Sequence, residues 1–74
     1  MDIAEEILKN KKYKEQIDRL SNETLLLIAN DHLAALEAAQ RGIQQVEPDK
    51  VNDVEYLELV ANAMQQLAQK VLKK

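Results

Sequence analysis

The 74-residue sequence predicts an all-α protein, a single domain over residues 1–74 built as an antiparallel helical hairpin with a short N-terminal helical segment, similar to a three-helix bundle. Two observations favour this class. Apolar residues recur at three- and four-residue spacing along nearly the whole chain, which is the period of an amphipathic helix. No stretch alternates apolar and polar residues long enough for a strand, and only Tyr13 and Tyr56 are aromatic.

The first segment is predicted to begin at a capping box formed by Asp2 and Glu5. At 100° per residue, its apolar side lies about 140° away from the apolar side of residues 13–20. One straight helix cannot bury both sides. A bend or a break is therefore expected at Lys9-Asn10-Lys11-Lys12.

Ser21 is the predicted N-cap of the second helix, with Leu20 packing onto Leu25. The apolar stripe of this helix consists of Leu25, Ile28, Ala29, His32, Leu36, Ala39, Ile43 and Val46. Because the stripe keeps its phase past Gly42, the helix is predicted to continue to about Val46; the alternative is a stop at Gly42. The following connection is Glu47-Pro48-Asp49-Lys50, since a residue before proline avoids the helical region.

A second capping box, Asn52 with Glu55, predicts the start of the third helix, with Val51 packing onto Tyr56. The apolar repeat of this helix is the clearest in the chain. It consists of Leu57, Val60, Ala61, Met64, Leu67, Ala68 and Val71. The third helix is therefore expected to pack along its whole length and to form the second arm of the hairpin.

The composition argues against several classes of function. No apolar run approaches the roughly 20 residues needed to span a bilayer, and the acidic start is not a secretory signal, so a cytoplasmic location is expected. The absence of cysteine excludes disulfides, thiolate zinc sites and cysteine nucleophiles. The one serine, Ser21, is better explained as a cap, and the one histidine, His32, as a core or interface residue. No enzyme activity, metal or cofactor is therefore expected.

A basic cluster is formed by Lys9, Lys11, Lys12 and Lys14, and a small helical protein with such a cluster could be a DNA-associated regulator of the phage or plasmid type. The alternative explanation is a solvated turn. Residues 1–20 carry five basic and five acidic groups, and residues 21–58 carry two basic and eight acidic groups. Such a charge distribution provides no broad positive field, so nucleic acid is not the expected partner.

Helices two and three carry more apolar residues than one core stripe requires. The additional residues are Leu27, Ala34 and Ala38 in the second helix and Tyr56, Leu59 and Ala63 in the third. They are explained either by a wide core contact with the N-terminal segment or by a groove for a partner or a second copy. The second explanation predicts a non-enzymatic module that binds itself or a helical partner, without a small-molecule substrate.

The layout of a short N-terminal helix followed by a helical hairpin resembles the small E-component co-chaperones of type III secretion needles. The similar stretch runs from about Ser21 to Leu72, with the turn at Glu47-Pro48-Asp49 and the alanine-rich second arm Val60-Ala61-Asn62-Ala63-Met64. The resemblance is one of architecture. It implies a partner of a helical-repeat chaperone that keeps a needle subunit unpolymerised.

Overall fold

The computed structural model describes residues 3–73 and contains five α-helices and no strand in that range. They are α1 (Ile3–Lys9), α2 (Lys11–Asp18), α3 (Asn22–Asn30), α4 (His32–Val46) and α5 (Val54–Leu72). The predicted all-α class is confirmed. The predicted cap at Asp2 lies outside the described residues.

Two of the predicted boundaries are confirmed by their hydrogen bonds. Asn10 separates α1 from α2, and its side-chain oxygen accepts a hydrogen bond of 3.0 Å from the Lys12 amide. Ser21 begins α3, since its hydroxyl oxygen accepts a hydrogen bond of 3.3 Å from the Thr24 amide. Each cap satisfies a donor that the first helical turn would otherwise leave without a partner.

The predicted second helix is two helices, because Asp31 interrupts it. Asp31 has an extended backbone (φ −121°, ψ 116°). Its amide donates to the Leu27 carbonyl oxygen at 2.8 Å and closes α3, while its carboxylate accepts from the Leu33 amide at 3.0 Å and begins α4. A short acidic side chain of this kind offers the backbone an alternative to the helical ladder. Asp31 therefore resets the phase of the helix, which places Ala35 in the core and leaves His32 exposed.

Gly42 lies inside α4, so the prediction that the helix continues to Val46 is confirmed. The glycine is buried at a close approach between three helices. A Cβ atom at this position would lie 2.6 Å from Met64 Cε, 2.7 Å from Gln16 Oε1 and 3.3 Å from Tyr13 Cε1. The missing side chain is therefore what lets α2 and α5 pack this closely against α4.

The connection between α4 and α5 contains a short 3₁₀ turn, Pro48–Lys50, as its proline suggests. The N-cap of α5 is Asp53, whose carboxylate accepts a hydrogen bond of 3.1 Å from the Tyr56 amide. The predicted capping box at Asn52 is therefore wrong by one residue. Asp53 takes this role because its carboxylate reaches the amide three residues later.

The longest helix, α5, is the centre of the fold and packs against each of the other four helices. The core side chains it shares with them are Ile7, Tyr13, Ile17, Leu25, Ile28, Ala35, Ala39, Ile43, Val60, Ala61, Ala63, Met64, Leu67 and Ala68. Two residues of its predicted core stripe, Leu57 and Val71, are only half-buried.

Side chains at both ends of α4 contact the start of α5. At one end of α4, His32 Nε2 lies 3.1 Å from Glu58 Oε2; just beyond the other end, Glu47 accepts a hydrogen bond from the Tyr56 hydroxyl. A 15-residue helix is about 22 Å long, yet both ends reach the first two turns of α5. The second half of α5 is covered by α3, where Gln69 Nε2 donates to the Ala29 carbonyl oxygen at 3.5 Å. The predicted all-α, bundle-like architecture is therefore observed, with the first arm of the predicted hairpin divided into α3 and α4, both of which pack against α5.

Candidate functional site

An open groove of about 340 Å³ lies between α2, α3 and α4. Its floor is Met64 of α5, with Ile17 and Ile28 buried beside it. At one end, α2 and α4 are joined across the groove by a hydrogen bond of 3.1 Å from Gln16 Nε2 to Gln45 Oε1. The groove is thus apolar at its base, and this hydrogen bond joins two of the helices that line it.

Half of the predicted partner-binding residues meet in this groove. Leu27 of α3 and Ala34 and Ala38 of α4 all line it, although Asp31 breaks the helix between them. The Leu27 side chain is 58% exposed, and both alanines are half-buried. A concave surface with one projecting leucine and two small residues is suited to a packed side chain or helix of a partner.

The other half of the predicted set does not reach the groove. Ala63 is buried in the core, so the prediction that it faces a partner is wrong for this fold. Leu59 is half-buried against the core, as is Leu57, so the predicted division of these two leucines into surface and core is not observed. The reason is that α5 is surrounded by four helices, which cover more than one of its faces. For these residues the explanation by a wide core contact applies.

Two charged residues of α4 stand one turn apart in the lining of the groove, Glu37 and Arg41. Both side chains are exposed. The ion pairs among the described residues are His32–Glu58 and Lys50–Glu47, so neither Glu37 nor Arg41 has an ionic partner there. The groove therefore offers one negative and one positive group beside its apolar base.

A polar cluster joins α2 and the start of α5 to the connection that follows α4. The Glu47 carboxylate accepts hydrogen bonds from the hydroxyls of Tyr13, at 3.0 Å, and Tyr56. Lys50 Nζ lies 4.6 Å from the centre of the Tyr56 ring and 3.7 Å from Glu47 Oε1. Tyr13 is fully buried and Tyr56 half-buried. The predicted partner residue Tyr56 is therefore engaged within the chain.

The cluster shifts the ionisation of all three groups. Burial, and then the hydrogen bond and charge of Glu47, raise the pKa of Tyr56 to about 12 and raise that of Tyr13 further. Burial alone would raise the pKa of the Glu47 carboxyl. The hydrogen bonds from Tyr56 and Tyr13 and the charge of Lys50 outweigh it and hold this pKa below its usual value. In this cluster both tyrosines stay neutral and donate hydrogen bonds to an ionised carboxylate. Such an arrangement stabilises the fold and differs from a nucleophile paired with a base.

Sequence reasoning missed this cluster and the part of the groove contributed by α2. The two tyrosines are the only aromatic residues of the sequence, and this was the one available indication that they share a partner. Gln16 and Ile17 of α2, and Leu20 just after it, reach the groove because α2 packs against α4. This contact joins Gln16 to Gln45, 29 positions later in the chain. Local periodicity contains no information about such a contact.

The other candidate residues lie apart from both features. Lys9, Lys11, Lys12 and Lys14 are exposed around the break between α1 and α2. His32 is exposed, so the prediction that it lies in the core is wrong, although its ring makes one hydrogen bond to Glu58 of α5. Within residues 3–73, no group of three acidic or histidine side chains is arranged to hold a metal ion, and no helix is long and apolar enough to cross a membrane.

Comparisons with known proteins do not extend these observations. No family model matches this chain, and no curated protein and no solved structure matches it significantly.

Proposed function

We propose that the protein is a non-enzymatic, cytoplasmic helical interaction module of the adaptor or co-chaperone type, and that it binds its protein partner in the groove between α2, α3 and α4. The observation that carries the proposal is that Leu27, Ala34 and Ala38 line one concave apolar surface. Leucine beside small residues is what a helix-in-groove contact uses, since the small residues let the partner backbone approach.

The charge of the molecule supports a protein partner over nucleic acid. The formal net charge is −3, and Glu37 stands in the lining of the groove itself. A DNA-binding surface would need several cations directed at phosphates. Arg41 is the one cation in the lining of this groove. A polypeptide with an apolar face fits these groups better.

The test is a comparison of partner capture by the wild-type chain and two arginine variants. Ala38→Arg places a long side chain in the groove, whereas Gln40→Arg adds the same charge at an exposed position of α4 outside the groove lining. Arginine, alanine and glutamine are all good helix formers, so neither substitution disfavours the helix itself. We expect proteins that bind the wild type and Gln40→Arg to be lost with Ala38→Arg. Each is then titrated in purified form.

The expected loss of affinity is about tenfold or more, because the new side chain occupies the volume that the partner needs. Melting curves of the three proteins give the control for folding. A partner that binds Ala38→Arg as tightly as it binds the wild type would show that the groove is not the binding surface.

A further inference from the structure

We infer that the occupant of the groove is a second copy of this chain, docked about a twofold axis. In this arrangement Leu27 of each copy enters the groove of the other copy, and Glu37 of each copy pairs with Arg41 of the other. The inference rests on the proposed function and names the partner for it.

The two charged residues of the groove, Glu37 and Arg41, can pair with the same two residues of a second copy. Glu37 and Arg41 lie one turn apart on α4, and neither has an ionic partner among the described residues. In a twofold interface, residue i contacts residue j and residue j contacts residue i. Two copies of α4 packed antiparallel therefore place Glu37 opposite Arg41 twice. A second copy supplies both charges in the correct order.

The shape of the groove is also self-complementary. Leu27 is 58% exposed at the groove and projects an apolar side chain next to an apolar cavity of about 340 Å³. Half-buried Ala34 and Ala38 leave space for α4 of the other copy to approach closely. A chain of this length buries only about 60% of its unfolded surface, so burial of this face against a second copy adds apolar burial that one copy lacks.

Sedimentation equilibrium over a concentration series up to about 0.5 mM tests the association, since a dimer of micromolar affinity is nearly complete there. We expect the wild type to dimerise. Leu27→Ser, Glu37→Arg and Arg41→Glu should each weaken the dimer by about tenfold or more, because the first removes an anchor and the other two face like charges across the axis. Asp49→Arg is the control, since it makes the same charge change as Glu37→Arg at an exposed residue outside the groove.

Two rescue experiments separate the charge pairs from a general loss of fold. The double variant Glu37→Arg/Arg41→Glu restores opposite charges across the axis and should recover the dimer. At a concentration near the wild-type dissociation constant, where each variant alone is largely monomeric, an equimolar mixture of Glu37→Arg and Arg41→Glu should form a heterodimer. Melting curves of every variant are measured at a concentration where the wild type is monomeric.

A wild type that remains monomeric over the whole series overturns the inference, as does a dimer that Glu37→Arg and Asp49→Arg weaken equally. The proposed function can survive either result. It stands if a different protein binds the wild type and is lost with Ala38→Arg, and it fails with the inference if neither a second copy nor another protein depends on the groove.

Discussion

At the scale of single residues, two positions determine how closely the helices pack. Gly42 has no side chain at the point where Met64 and Gln16 approach α4, and a Cβ there would lie within 3 Å of both. Glu47 accepts hydrogen bonds from the hydroxyls of Tyr13 and Tyr56 and so joins α2 to the start of α5. Hydrogen bonds to a charged group typically contribute about 1.5–3 kcal/mol, which exceeds a neutral hydrogen bond. Gly42, because it has no side chain, and Glu47, because it accepts two hydrogen bonds, therefore both stabilise the packing of the same part of the fold.

The tyrosines predict how stability depends on alkaline pH. The pKa of Tyr56 is raised from 10.0 to about 12, so between these values the unfolded chain loses the proton while the folded chain keeps it. Stability from this group is complete below pH 10 and falls as pH rises towards 12. We expect the urea midpoint of the wild type to fall between pH 9 and pH 11.

The variant Tyr56→Phe is the control for this pH dependence, since it keeps the ring and lacks the ionisable hydroxyl. It should be less stable than the wild type at pH 8, because Glu47 loses one donor, and should lose less additional stability at pH 11. Effects of alkaline pH on other groups are common to both proteins. Equal losses in the two proteins would show that Tyr56 does not carry the alkaline transition.

At the scale of helices, short polar residues decide where each helix ends. Asn10, Ser21, Asp31 and Asp53 all have extended backbones and accept hydrogen bonds from amides two or three residues later. Asp31 acts on two helices at once, since its amide completes α3 and its carboxylate begins α4. Asp31 lies between Leu27 and Ala34, so the helix break occurs between two residues that line the groove.

We expect Asp31→Ala to lower the free energy of unfolding by about 1 kcal/mol, within the range of 0.5–2 kcal/mol known for N-caps. Asp31→Asn should retain most of the stability, because its amide oxygen can accept the same hydrogen bond from the Leu33 amide. The measurement is urea unfolding of both variants and the wild type at neutral pH. The cap has no energetic role if Asp31→Ala and Asp31→Asn unfold at the same midpoint as the wild type.

At the scale of the whole molecule, α5 is the element around which the other four helices are arranged. Small side chains such as Ala61 and Ala68 let neighbours approach it on several sides, and both are fully buried. Its second apolar stripe is thereby used within the chain. Among the described residues, Leu27, Ala34 and Ala38 line an open apolar groove formed by α2, α3 and α4 over Met64 of α5.

The charge distribution predicts negligible binding to duplex DNA. The four lysines of the basic cluster are exposed near one break, on a chain with a formal net charge of −3. A few exposed cations release few counterions, so affinity should be weak even at low salt and vanish as salt rises. A fluorescence anisotropy titration at two salt concentrations measures this. A salt-sensitive complex of submicromolar affinity would favour the DNA-associated regulator instead.

Local sequence information was sufficient for the helical class, the break at Asn10, the cap at Ser21 and the passage of α4 through Gly42. These features depend on periodicity and capping, which act within about four residues. The same information failed at Asp31. A continuous apolar stripe and a strong N-cap compete there, and in the folded chain the cap at Asp31 interrupts the helix.

The sequence by itself therefore determined that the chain is helical and that Leu27, Ala34 and Ala38 are apolar residues beyond those of the main core stripe. Only the tertiary structure decided that they line a groove while Ala63 is buried and Tyr56 binds Glu47. The physical reason is that the exposure of a helix face depends on which other helices pack against it. In this chain those contacts join segments that are far apart in sequence, and the local periodicity of apolar residues does not predict them.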